Sequence, residues 1–339
     1  MSFSTNVSFS SNILPLSLES YFAQNNIGSD LPLNFTLSDD HLTLNKAITT
    51  NSTKQELVVF DDLTLVNLLA LQSNCHLSID TLQAINTRNN QTSYRFIVSC
   101  HDFIKSRKAL AGFALAQNIE AALITNAPKL SEPGLLVMDM DSTTIEIECI
   151  DEIAKLAGVG EQVAAVTELA MLGELDFAQS LHQRVATLED APEQILADVA
   201  KNIPLMAGLE TLISELKNHN WRIAVASGGF TYFADHLKEM LALDATFANV
   251  LEIVNGKLTG KVLGDVVDAQ GKADSLSLLA EKYQISPSQT VAMGDGANDL
   301  VMMAAASFGV AFHAKPIVLA QADSTINQQG LDCLLHWLA

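Results

Sequence analysis

The sequence predicts an α/β protein: a parallel sheet covered by helices, with a helical insertion after one strand, preceded by a smaller α+β domain. Three observations carry this expectation. The apolar run Leu135 to Met138 follows Pro133 and Gly134 and stops at Asp139, as a strand buried on both faces would. From Leu209 to Ala311 strand-like and helix-like runs alternate, which favours a parallel sheet. Between these two regions, residues 148–202 contain no convincing strand and read as short amphipathic helices.

At 339 residues, 48% of them hydrophobic, the chain is long for a single core, so two or three domains are expected. Residues 1 to about 50 are rich in Ser, Asn, Thr and Leu, with weak periodicity and turn signals at Asn25-Asn26 and Gly28-Ser29. Little beyond partial order is assigned to them. From Glu56 the pattern sharpens: a strand at Leu57–Phe60, a helix at Leu63–Leu71, and one or two extended segments over Cys75–Ile85. A strand at Tyr94–Ser99, a helix at Phe103–Ala116 and a strand at Ile119–Ile124 complete a small sandwich with helices on one face of an antiparallel sheet. A linker is expected over Thr125–Pro133. The domains are therefore placed at 1–130 and 131–339, with a helical cap at about 149–203.

The insertion contains helices at Cys149–Leu156, Glu161–Met171, Phe177–Thr187 and Pro192–Val199, the last opened by its proline. Beyond it come a helix at Leu209–Leu216, a strand at Arg222–Ala226 and a helix at Phe230–Met240. Phe247–Ile253 and Lys257–Val262 form a hairpin around Asn255-Gly256. Helix Ala273–Tyr283, strand Thr290–Met293, helix Asp299–Ala305 and a last strand at Phe308–Ala311 follow.

Polar clusters punctuate this alternation: Asp139-Met140-Asp141-Ser142-Thr143, Ser227-Gly228-Gly229, Gly271-Lys272, and Gly294 to Asp299. The first, second and last follow strands, so a parallel sheet gathers them at the edge where ligands bind. Paired carboxylates are costly there without a cation. The set supplies oxygen ligands for a hard divalent ion, a hydroxyl and amides for an anion, and one ammonium, which together suit phosphoryl transfer.

These clusters resemble the motifs of the haloacid dehalogenase-like phosphohydrolases, and within them the phosphoserine phosphatases. Asp139, Asp141 and Thr143 match the first motif; Ser227 with Gly228 the second; Lys272 the third; Gly294 to Asp299 the fourth. The resemblance covers roughly residues 133–325 and implies a Rossmann-like catalytic core. It implies that Asp139 is the nucleophile forming an aspartyl-phosphate and Asp141 the general acid and base. Asp139, Asp295 and the Asp141 carbonyl would bind Mg²⁺, with Asp299 behind them and Asn298 bonding locally. Ser227 and the Gly228 amide would hold phosphoryl oxygens, and Lys272 would neutralise them.

In the insertion, the resemblance gives Glu148 to a substrate ammonium and Arg184 to its carboxylate, a two-pronged partner for such a group. Met171 and Phe177 would close over the substrate, although apolar residues at helical spacing also serve as core. The implied activity is hydrolysis of O-phosphoserine, the last step of serine biosynthesis. Phosphohomoserine and phosphothreonine are the competing substrates, and a non-catalytic amino-acid sensor is the competing class. The 54–125 region resembles the ferredoxin-like (ACT-like) amino-acid-binding modules in element order alone. An amino-acid ligand there and a homodimer are further expectations.

The formal net charge of −20, from 39 acidic and 19 basic residues, argues against nucleic acid or an anionic membrane as partner. Cys75, Cys100, Cys149 and Cys333 are too scattered for a zinc or disulfide framework, which suits a reducing cytoplasm. Neither a secretory signal nor a spanning helix is supported. His182, His219, His236 and His313 lack metal-ligand spacing, and Cys149 reads as a buried thiol. Gly158-Val159-Gly160 lacks the strand and third glycine of a dinucleotide loop.

Overall fold

The computed structural model describes residues 4–8, 16–25, 27, 31–37, 41–47, 55–60 and 62–339. The turn signals at Asn26, Gly28 and Ser29 lie outside them. The chain divides into two compact units: Met1–Ala127 with Leu319–Ala339, and Pro128–Val318.

The first unit contains β1 (Ser4–Ser8), α1 (Leu18–Gln24), β2 (Leu33–Leu37), β3 (His41–Lys46), β4 (Gln55–Phe60), α2 (Leu65–Cys75), β5 (Leu77–Arg88), β6 (Gln91–Cys100), α3 (Phe103–Gln117) and β7 (Ala121–Thr125). Its sheet runs β1-β3-β2-β5-β6-β4-β7, and neighbouring strands pair antiparallel. The order β5-β6-β4-β7 with two intervening helices is the ferredoxin-like arrangement expected. Thr64 and Asn67 form a reciprocal capping box that starts α2. Asn89 and Asn90, both at positive φ, make the two-residue turn between β5 and β6.

The first 50 residues contribute more than the sequence reading assigned. β2 alternates buried Leu33, Phe35 and Leu37 with exposed Asn34 and Thr36. Phe35 packs edge-on against Phe96, and Phe22 of α1 against Tyr94, with ring centroids 5.0 and 4.9 Å apart. Polar anchors hold the C-terminal segment in the same unit. Arg95, ion-paired to Glu56, donates from Nη2 to the carbonyls of His336, Trp337 and Leu338 at 3.0, 3.2 and 2.8 Å. The buried Glu120 carboxylate accepts the N–H groups of Asn327, Gln328 and Gln329 at 3.0, 2.8 and 3.2 Å.

The second unit starts with β8 (Leu135–Met138), followed by α4 (Cys149–Ala157), α5 (Gly160–Met171), α6 (Phe177–Ala186), α7 (Gln194–Ala200) and α8 (Leu209–Asn218). Then come β9 (Arg222–Phe230), α9 (Thr231–Leu241), β10 (Ala245–Val254), β11 (Lys257–Leu263), α10 (Ala269–Lys282), β12 (Thr290–Gly294), α11 (Leu300–Ala305) and β13 (Phe308–Phe312). These strands lie in the order β11-β10-β9-β8-β12-β13. Pairing is parallel except in the β10–β11 hairpin. β8, β12 and β13 are buried at every position, which explains their unbroken apolar runs. Pro192 does not open α7: it bridges to Lys257, and the helix begins two residues later. Among the described residues, no helix is long and apolar enough to cross a membrane.

Candidate active site

Because β8 lies between β9 and β12, its carboxyl end is the centre of the sheet edge. The Asp139 N–H donates to the Met293 carbonyl at 2.9 Å, extending the ladder by one residue. The chain then folds sharply, with the Met140 carbonyl accepting the N–H groups of Thr143, Thr144 and Ile145. The Thr144 hydroxyl donates to the Asp139 carbonyl. This turn fixes Asp139 with its carboxylate buried and Asp141 half-buried beside it.

Lys272, in the first turns of α10 and 1% exposed, reaches Asp139 Oδ2 at 2.8 Å and Asp299 Oδ1 at 2.7 Å. The other Asp299 oxygen accepts the Gly296 N–H at 2.9 Å. Burial works to lower the Lys272 pKa, but the two carboxylates outweigh it and the net shift is upward. Burial and the Asp299 charge push Asp139 well above the ordinary carboxylate range, against the opposing pull of Lys272. Asp295 accepts the Thr143 hydroxyl at 3.1 Å and is pushed up to about 6, first by burial and then by Asp299.

Asp139, Asp295 and Asp299 each offer a carboxylate oxygen within 4.8 Å of the others. Such crowding is offset by a divalent cation, and an all-oxygen donor set fits Mg²⁺. The protein is accordingly Mg²⁺-dependent.

Asp141 accepts the Cys149 N–H at the start of α4 at 2.8 Å, tying the turn to the helical insertion. Burial first, and Glu148 second, raise its pKa to about 6, a value suited to moving protons near neutrality. Ser142, in the left-handed region at φ 57°, donates its hydroxyl to Glu148 at 2.8 Å. The Cys149 thiol is buried and shifted strongly upward by burial, which leaves it unreactive.

Ser227, Gly228 and Gly229 interrupt the register between β9 and β10. Phe247 pairs with Ala226, yet Asn249 pairs with Phe230, so three residues of β9 stand opposite one of β10. The Ser227 hydroxyl accepts the Gly229 N–H at 2.8 Å. A Cβ on Gly228 would lie 2.5 Å from the Phe177 ring, and one on Gly229 would lie 2.7 Å from Asp141 Oδ2. Both glycines let these side chains approach the backbone closely.

A cleft of about 150 Å³ is lined by Asp139, Asp141, Glu148, Phe177, Arg184, Ser227, Gly228, Asp295 and Asn298. Lys272 and Asp299 sit behind Asp139 through the contacts above. Arg184 keeps a buried Nε with no hydrogen-bond partner among the described residues. Burial lowers its pKa, while Asp151, Glu148 and Asp141 oppose that shift. Met171 does not join this set. It is 76% exposed at the end of α5, a helix whose one buried residue is Val163, and lines a separate groove with Ala164, Thr167 and Leu172. Gly229 and Gly296 of the motif stretches also line the cleft, as do Ile150, Leu181, Phe230 and Lys315, which no motif contains.

A family model for haloacid dehalogenase-like hydrolases matches residues 134–307. The chain is 61% identical over 216 residues to a phosphoserine phosphatase of Vibrio cholerae, covering 64% of this chain and 66% of that protein. It is 57% identical over 238 residues to a phosphoserine phosphatase of Haemophilus influenzae, covering 70% of this chain and 74% of that one. A crystal structure of a probable phosphoserine phosphatase from Vibrio cholerae, in unliganded form, superposes with a TM-score of 0.72 at 46% identity. It covers 86% of this chain and 89% of its own.

Proposed function

We propose, from the premise that this chain belongs to the haloacid dehalogenase-like hydrolase family, that it hydrolyses O-phosphoserine to serine and phosphate. The carrying observation is the composition of the one cleft. Asp139, Asp141, Asp295, Ser227 and Gly228 line it together with Glu148 and Arg184, which contribute opposite charges, the Arg184 Nε having no partner among the described residues. A zwitterionic amino acid esterified to phosphate needs both sets.

In the proposed mechanism an Asp139 carboxylate oxygen attacks phosphorus and the bond to the serine oxygen breaks, leaving an aspartyl-phosphate. Asp141 gives its proton to the departing alkoxide, then takes one from the water that attacks the same phosphorus, releasing phosphate and restoring Asp139. Ser227 and the Gly228 amide hold the non-bridging oxygens. Lys272 holds Asp139 in place and offsets the charge around it. Asp139, Asp295 and the Asp141 carbonyl would hold Mg²⁺, which would supply positive charge for the phosphoryl oxygens. In this reading Asp299, bonded to Lys272 and to the Gly296 N–H, stands behind the metal ligands.

Glu148 meets the substrate ammonium and Arg184 its carboxylate, Phe177 shields the phosphoryl group from water, and Asn298 bonds beside it. In this reading the regulatory unit is 1–127 with 319–339, where the sequence placed 319–339 in the catalytic domain; the catalytic unit is 128–318 with its cap at 149–203, and the chain acts as a homodimer. The ferredoxin-like strand order supports an amino-acid site in the first domain. Serine binding at two sites per chain supports that site, and one site per chain removes it.

The test of the activity is a panel of phosphate esters assayed with Mg²⁺. Phosphoserine should lead, with phosphothreonine and phosphohomoserine behind it, since an added methyl or methylene changes discrimination by about 1–3 kcal/mol. A phosphoserine kcat/KM no higher than that of sugar phosphates would overturn the assignment.

A further inference from the structure

The interruption of the β9–β10 ladder at Ser227–Gly229 displaces backbone groups from regular pairing. The side chain of Asn249, in β10 and 2% exposed, fills part of that gap. Its Nδ2 donates to the Gly228 carbonyl at 2.8 Å, and its Oδ1 accepts the Val267 N–H at 2.8 Å. Val267 directly precedes Asp268, whose carboxylate caps α10 by accepting the Gly271 N–H at 2.9 Å. The next residue is Lys272, bonded to Asp139 and Asp299.

A single buried amide therefore joins the glycine turn at the end of β9 to the start of the helix that carries Lys272. An amide has one donor end and one acceptor end, and both are matched here to a backbone group. Neither Asp, which loses the donor at neutral pH, nor Leu, which has no polar atom, reproduces the pair. A buried carbonyl left unpaired is costly, so the turn would shift to find another donor.

We propose that Asn249 is a positioning residue for the phosphoryl group: it sets the distance between the Ser227–Gly228 turn and Lys272, and so the geometry of the phosphate-holding part of the cleft. Asn249 does not line the cleft, and its effect passes through Gly228 and α10. The proposal rests on the phosphohydrolase reading of the cleft. It predicts a selective defect, because Glu148 and Arg184 belong to other elements and keep their places.

The test compares wild type with Asn249→Asp, which is close in shape and retains an acceptor for Val267, and with Asn249→Ser, which is too short to reach either partner. Inhibition constants for inorganic phosphate and for serine are measured beside kcat, and phosphate binding is also titrated directly. For both variants the phosphate constant should rise about tenfold and kcat should fall about 10–100-fold, the size expected when a buried backbone group loses its partner, while the serine constant stays unchanged. Unchanged phosphate constants in a folded variant would overturn the proposal. So would parallel weakening of phosphate and serine, which marks general structural damage. If wild type fails to hydrolyse phosphoserine, the functional reading falls. Weaker direct phosphate binding in the variants would still support the role of Asn249, and unaltered binding would remove it.

Discussion

Replacing Lys272 with Met removes one charge from the most buried ionic cluster of the second unit while keeping an unbranched side chain of similar length. The ammonium is 1% exposed and bonds Asp139 Oδ2 at 2.8 Å and Asp299 Oδ1 at 2.7 Å. Removing one partner from a buried ion pair costs about 3–5 kcal/mol because an uncompensated charge remains. Here two carboxylates remain, and Asp299 already raises Asp139. Protonation relieves that repulsion, so the loss depends on pH. In the variant Asp139 loses the opposing pull of Lys272, so its folded pKa stands further above its unfolded value near ~4. Groups raised in this way favour the folded state at low pH and lose that contribution as pH rises. Urea denaturation with metal chelated should therefore show a deficit of about 3–5 kcal/mol at pH 8 that shrinks towards pH 5. A deficit below about 1 kcal/mol, the level of an exposed pair, or one independent of pH, would refute the reasoning.

Arg184→Ala should lower kcat/KM for phosphoserine by roughly 10–100-fold, the worth of a charge-assisted hydrogen bond. A phosphate ester lacking the carboxylate should lose much less, and equal losses in parallel assays would make Arg184 structural. Gly228→Ala places a Cβ 2.5 Å from the Phe177 ring, and such overpacking costs about 1–3 kcal/mol. A double-mutant cycle should show much of that cost relieved by Phe177→Ala. His336 is buried against Ser93, and burial first, then Arg88, hold its pKa down at about 4. A depressed histidine makes folding less favourable as pH falls from its unfolded value near ~6.5 towards 4, by up to about 3 kcal/mol. Denaturation at pH 7 and 4.5 should show this loss in wild type and much less of it in His336→Gln.

The sequence was most informative where function is local in the chain. Asp139, Asp141 and Glu148 lie within one decapeptide, and Gly294 to Asp299 within another short stretch, so spacing alone displayed the chemistry. The parallel strands were legible because burial on both faces demands unbroken apolar runs. β2 carried a clean alternation at Leu33, Phe35 and Leu37, yet the surrounding Ser, Asn and Thr obscured it. Met171 illustrates a different difficulty: helical spacing identifies an apolar residue, not the surface it will meet, and α5 leaves this one in solvent. Lys315 and Asn249 gave no signal, since each is a single polar residue whose significance comes from neighbours distant in sequence. The return of Leu319–Ala339 to the first unit depends on Arg95 and Glu120, which meet that segment across more than two hundred residues of chain.

The central claim is that Asp139 takes the phosphoryl group of phosphoserine at a Mg²⁺-dependent site. Phosphate release from O-phosphoserine should be measured for wild type and Asp139→Asn, each stripped of metal and then titrated with Mg²⁺. Wild-type release should rise from background with added Mg²⁺, and Asp139→Asn should stay at background throughout. Release by Asp139→Asn at the wild-type rate, or wild-type release indifferent to Mg²⁺, would contradict the account.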